Sequence, residues 1–187
     1  MFTDHTVESA PTESRRAMEA TAKRLGHLPA AIGRLAESPH LLDGFLKLSA
    51  MFEATTLDPL ARETVILTIA TRNECHLCVA MHTAKLTTMG ASPGTIAALR
   101  DGEPLDDPRL EAIREFAIQV VERSGAVETE ALQAFLAHGY TTRNALEVVL
   151  GIGAYTMSTL ANRLVEAPLD EWLEPFAWPG LSGSAGR

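Results

Sequence analysis

Four times in this chain a side chain able to cap a helix stands directly before a proline: Ser38-Pro39, Asp58-Pro59, Ser92-Pro93 and Asp107-Pro108. The capping oxygen accepts a first-turn N–H that has no partner inside the helix, and proline at the first helical position gives up an N–H that would be unpaired anyway. Each pair therefore marks a helix start. Gly90, Gly102, Gly125 and Gly139 each follow an apolar-periodic run and mark helix ends. The punctuation predicts helices over 12–25, 39–54, 59–72, 74–89, 93–101, 108–124, 129–138 and 142–166, with no strand of convincing alternation left over. The expected fold is all-α, a helical bundle of about eight helices.

Spacings of three and four place Leu41, Phe45, Leu48 and Phe52 on one buried stripe, and Leu110, Ile113, Ala117, Val120 and Val121 on another. With 187 residues, 46% of them apolar, the chain can build one core without disulfide staples or structural metals. Connections are short and no repeat is visible, so a single domain is expected over 12–176, between a flexible N-terminus (1–11) and a flexible C-terminal tail (177–187). A net charge of −8 without a basic cluster speaks against a nucleic-acid partner. Residues 1–14 lack the basic start and apolar run of a secretory signal, and the most apolar stretch, 148–161, is too short to span a bilayer. A cytoplasmic protein with no membrane association is expected.

Two cysteines three residues apart, in a chain read as cytoplasmic, suggest redox chemistry or metal binding rather than a structural disulfide framework. Taken as an N-cap, Asn73 would start helix 74–89 and put Cys75 and Cys78 in its first turns, where free N–H groups and the helix dipole favour a thiolate. Cys75, Cys78 and His82 then share one side of that helix. Glu63 falls on the stripe of Leu60, Leu67 and Ala70 in the preceding helix, so it should point inward, where an unpaired carboxylate is costly. It can serve as a relay partner of His82, or pair with Arg72 or Arg163 as part of the fold. The cysteines can equally be small buried hydrophobes. Zinc is disfavoured, because no second ligand pair exists and one regular helix spreads the three groups over two turns. No cofactor is expected either: Gly151-Ile152-Gly153 lies inside a helix with no preceding strand, and those glycines suit close packing against a neighbouring helix or another subunit.

The run Glu63, Thr71, Arg72, Asn73, Glu74, Cys75, His76, Leu77, Cys78, Val79, Ala80, Met81, His82 resembles the signature of the carboxymuconolactone decarboxylase superfamily, in particular its alkylhydroperoxidase D-like, peroxidase-related branch. Segment 147–170 resembles the C-terminal helix of those proteins. The resemblance implies a thiol peroxidase in which Cys78 attacks a peroxide, Cys75 resolves the sulfenic acid as a disulfide, and His82, backed by Glu63, is the base. It also implies a small-molecule peroxide as substrate, an unidentified dithiol or protein reductant, and a homo-oligomer (dimer, trimer or hexamer). A decarboxylating lyase and a non-catalytic redox sensor are the alternatives. Leu77 stands where some relatives carry His or Tyr, so His76 is expected to be an exposed residue. Tyr155 and Asn162 either line a pocket or pack in the core.

Overall fold

All four proline-led starts form helices in a computed structural model of the chain, which describes residues 2–181. The order is α1 (Thr12–Leu25), α2 (Ala30–Leu35), α3 (Pro39–Glu53), α4 (Pro59–Arg72), α5 (His76–Thr88), α6 (Pro93–Asp101), α7 (Pro108–Glu122), α8 (Thr129–Ala137), α9 (Thr142–Leu164) and a 3₁₀ helix, Glu171–Phe176. The side chains of Ser38, Asp58, Ser92 and Asp107 each accept a first-turn N–H, an arrangement worth about 1 kcal/mol per cap. Gly102 closes α6 at φ 73°, and the other three predicted terminators also have positive φ. The sequence reading omitted α2 and the 3₁₀ helix and began α5 two residues early.

Helix α4 is the centre of the molecule and packs against α5, α6, α7 and α9. From Glu63 to Thr71 every residue is buried, as expected of a helix surrounded by others. Its threonines satisfy their hydroxyls locally: Thr64 donates to the Leu60 carbonyl and Thr68 to that of Thr64, while Thr71 reaches the Leu99 carbonyl. One apolar layer joins Phe52, Ile66, Ile113, Phe116, Phe135 and Tyr155, and a second gathers Leu67, Leu77, Val79, Leu86 and Leu173 around the two cysteines.

The small-residue face of α9 is turned partly inward. Gly151, Ala154 and Ser158 are buried, whereas Gly153 is exposed. A Cβ on Gly151 would lie 2.6 Å from Cε2 and Cζ of Phe52, a ring that is itself fully buried. Gly151→Ala should therefore cost about 1–3 kcal/mol through overpacking, despite the better helix propensity of alanine. Gly44→Ala in α3, where a Cβ meets nothing within 4 Å, should be neutral or slightly stabilising. Thermal melts of the two variants check the contrast.

Both ends of the described chain are tied to the bundle. In the segment read as a flexible N-terminus, Asp4 pairs with Arg34, His5 with Glu37, and Ala10 is buried. In the segment read as a flexible tail, Trp178 is buried and its Nε1–H donates to the Arg100 carbonyl, while the Arg100 guanidinium binds the carbonyls of Phe176 and Ala177. The rest of that tail, 182–187, lies outside the described residues. Among the described residues no helix is long and apolar enough to cross a membrane.

Candidate thiol site

The site is built at the turn from α4 to α5. Asn73 is the C-cap of α4 rather than the N-cap of α5, and Glu74 takes φ 51°, a left-handed conformation that reverses the chain within one residue. The N–H of Cys75 then donates back to the Ala70 carbonyl at 3.0 Å. Cys75 is consequently the N-cap of α5, its sulfur accepting from the Cys78 N–H at 3.4 Å. The two cysteines are joined as a disulfide across a Cα–Cα distance of 5.3 Å. Helix α9 holds this turn: Asn73 Nδ2 donates to Thr159 Oγ1 at 2.8 Å, and Arg163 donates to the Asn73 carbonyl at 2.6 Å.

Glu63 and His82 meet as the sequence suggested. His82 Nδ1–H donates to Glu63 Oε2 at 2.7 Å, with side-chain exposures of 10% and 1%. The neighbours of Glu63 are otherwise not those expected. Arg72 pairs with Glu122 and Arg163 with Glu74, while Lys85, one turn beyond His82, reaches Glu63 Oε1 at 2.7 Å and Glu53 Oε1 at 2.6 Å. Burial opposes ionisation of Glu63, but His82 and then Lys85 outweigh it and hold the carboxyl below its ordinary range. Burial likewise opposes the charge on Lys85, and the two glutamates overcome it, raising the ammonium.

A lowered carboxylate pKa has a fixed consequence. The stability that Glu63 contributes is complete above the ordinary value of 4.5 and is lost as pH falls below it, through the depressed folded value. Melting temperature should therefore drop on acidification below pH 4.5, and Glu63→Gln should flatten part of that drop.

Two residues of α9 complete the surroundings. The Tyr155 ring stands edge-on to His82, centroids 5.4 Å apart, and its hydroxyl pairs with Ser49 Oγ at 3.2 Å. Asn162 Nδ2 donates to Cys78 Sγ at 3.4 Å. Sequence reading left both residues undecided between pocket and core. Lys85 was missed altogether, although its position three residues after His82 was a usable signal. His76 is exposed, as expected, yet its Nδ1–H donates to the Trp178 carbonyl at 2.8 Å. Among the described residues no three His, Cys, Asp or Glu side chains converge as a metal site.

The arrangement defines a class: an all-helical protein with a vicinal cysteine pair at a helix start and a buried histidine–carboxylate pair one turn further on. Residues 39–119 match the sequence profile of the Carboxymuconolactone decarboxylase family. The fold as a whole is that of alkylhydroperoxidase D-like helical proteins. A similar solved structure is the alkylhydroperoxidase AhpD core of an uncharacterized peroxidase-related protein from Ralstonia eutropha JMP134, at 19% identity and TM-score 0.81, covering 92% of this chain and 93% of that one. An uncharacterized peroxidase-related protein from Silicibacter sp. TM1040 gives 19% identity and TM-score 0.75, with 91% and 92% covered. A variant of the debrominase Bmp8 in complex with 2,3,4-tribromopyrrole gives 16% and 0.72, with 94% and 95% covered. No curated protein matches the chain.

Proposed function

We propose that the protein reduces hydroperoxides with its own two thiols, and the observation that carries this reading is the Cys75–Cys78 pair lying one turn from the buried Glu63–His82 pair. In the reduced protein His82 takes the Cys78 proton through Nε2, which has no hydrogen-bond partner among the described residues. Its Nδ1–H stays on Glu63, which fixes the tautomer and leaves Nε2 as the accepting nitrogen. The Cys78 thiolate attacks the distal oxygen of ROOH, forming an S–O bond and breaking O–O; the departing alkoxide takes the proton from His82 and leaves as ROH. Cys75 then attacks the Cys78 sulfenic acid, releasing water and closing the disulfide. An external dithiol, molecular or protein-borne, reopens it by exchange.

The test is a thiol count after one equivalent of an organic hydroperoxide. Two thiols should disappear per chain, Cys78→Ser should lose none by this route, and Cys75→Ser should stop at a trappable sulfenic acid. Unchanged wild-type thiols, or equal consumption by Cys78→Ser, would overturn the reading. A bromopyrrole offered in parallel separates the reaction named for the debrominase, in which two thiols would reduce C–Br to C–H, release bromide and end in the same disulfide. Turnover of a carboxymuconolactone that survives loss of both cysteines would favour the lyase.

We also propose that the chain pairs with a second copy through α9. Leu146 and Leu164 are 74% and 71% exposed, and Val149, Gly153 and Leu160 continue the same stripe between them. The stripe reads nearly alike in both directions. An antiparallel partner would set Leu146 on the partner's Leu164 and Val149 on the partner's Leu160, with bare Gly153 admitting close approach and each helix N-terminus facing the opposite end of the other dipole. Light scattering should give at least a dimer for the wild type and a monomer for the Leu146→Glu, Leu164→Glu double variant. A monomeric wild type would refute it.

A further inference from the structure

Asn162 is 7% exposed, and its amide is engaged on one side only. Nδ2 donates to Cys78 Sγ and to Ser158 Oγ, each at 3.4 Å, while Oδ1 is fully buried and has no partner. An unsatisfied buried carbonyl is costly, and leucine would fill similar space without that penalty. A polar atom kept unpaired beside a reactive sulfur has a use for a partner from outside the chain.

The proposed reaction supplies one. A hydroperoxide brings an O–H to the sulfur, and the sulfenic acid formed from it carries an O–H at nearly the same place. Both need an acceptor, and His82 is occupied with the proton taken from Cys78. We propose that Asn162 is a catalytic residue of the thiol site, its Nδ2–H steadying the Cys78 thiolate and its Oδ1 accepting the O–H of the bound hydroperoxide and then of the Cys78 sulfenic acid. This deepens the hydroperoxidase reading and rests on it. As S–O forms and O–O breaks, the distal oxygen keeps its hydrogen on Oδ1 throughout, and the alkoxide leaves toward the His82 proton. Substrates of the form ROOH are thereby favoured over dialkyl peroxides, which have no O–H to offer.

The two halves of the amide are separable in a Cys75→Ser background, where Cys78 is the single thiol. The alkylation rate of Cys78 by iodoacetamide against pH reads thiolate formation alone, and sulfenic acid formation by an organic hydroperoxide reads the whole step. Asn162→Leu should move the alkylation midpoint to higher pH. Above both midpoints, where thiolate is complete, alkylation should equal that of the Asn162 protein while the hydroperoxide rate remains lower by about 10- to 100-fold. Loss of packing alone would not produce that split. Asn162→Ala, which only removes atoms, gives the same comparison should leucine not be accommodated. Equal hydroperoxide rates at high pH would overturn the role of Asn162 alone, whereas a wild type inert to hydroperoxide would overturn the function and this role with it.

Discussion

Replacing Glu63 with alanine is expected to lower the melting temperature by about 6–20 °C, the largest stability loss foreseen for any single site charge. Removing one member of a buried ion pair typically costs 3–5 kcal/mol, roughly, because the other member is left uncompensated. In a chain of 187 residues each kcal/mol moves the midpoint by about 2–4 °C. Two groups would be stranded here: the Nδ1–H of His82, at 10% side-chain exposure, and the ammonium of Lys85. Lys85 is 42% exposed and keeps Glu53, so water absorbs part of its loss. His82 has no such recourse. Glu63→Gln preserves the volume and one acceptor, and should fall between alanine and wild type. A calorimetric loss below about 1 kcal/mol for Glu63→Ala would mean that water reaches the pair freely, placing it with surface salt bridges.

How much of this was legible depends on how local the determinants are. Helix starts at Pro39, Pro59, Pro93 and Pro108 depend on a side chain and a ring in adjacent positions, and all four stand where sequence put them. The inward direction of Glu63 follows from helical periodicity and is equally local. Helix α2 is different. It has six residues, its N-cap is Pro29, which offers no side-chain acceptor, and its Ala30 N–H is met instead by Asp170 Oδ1, 140 positions away. No window of sequence contains that partner. The 3₁₀ helix carries Pro175 in its interior, a residue that reads as a breaker.

The start of α5 failed for a subtler reason. Asn73 is a good N-cap by type, but the chain spends it closing α4 and passes through Glu74 at φ 51°, a conformation for which glutamate gives no advance sign. That displacement makes Cys75 the cap and leaves Cys78 alone within the helix's first turn. The two cysteines therefore occupy unequal places at the helix end, one as its cap and one inside its first turn. The partners of Glu63 show the same limit. Arg72 and Arg163 were reasonable by charge, and only the packing of α5 on α4 makes Lys85 the cation that arrives.

The second large effect concerns rate. In the proposed hydroperoxidase, His82→Ala should slow loss of thiols to an organic hydroperoxide by about 10²- to 10⁴-fold near neutral pH, the range a positioned general base contributes. The same imidazole has two tasks, taking the Cys78 proton and returning it to the departing alkoxide, so neither raising the pH nor supplying more peroxide should fully restore the rate. Alkylation by iodoacetamide, whose halide leaves without needing a proton, should recover at high pH while peroxide reduction does not. Folding should largely persist, since Glu63 retains Lys85 at 2.7 Å. Added imidazole can enter the vacated volume between Glu63 and the Tyr155 ring and should raise the variant's rate in proportion to its concentration, an effect that Cys78→Ser cannot show. A His82→Ala protein that consumes hydroperoxide within threefold of wild type, or one that imidazole leaves unchanged while its fold is intact, would remove His82 from the proton path and leave its contact with Glu63 as part of the core alone.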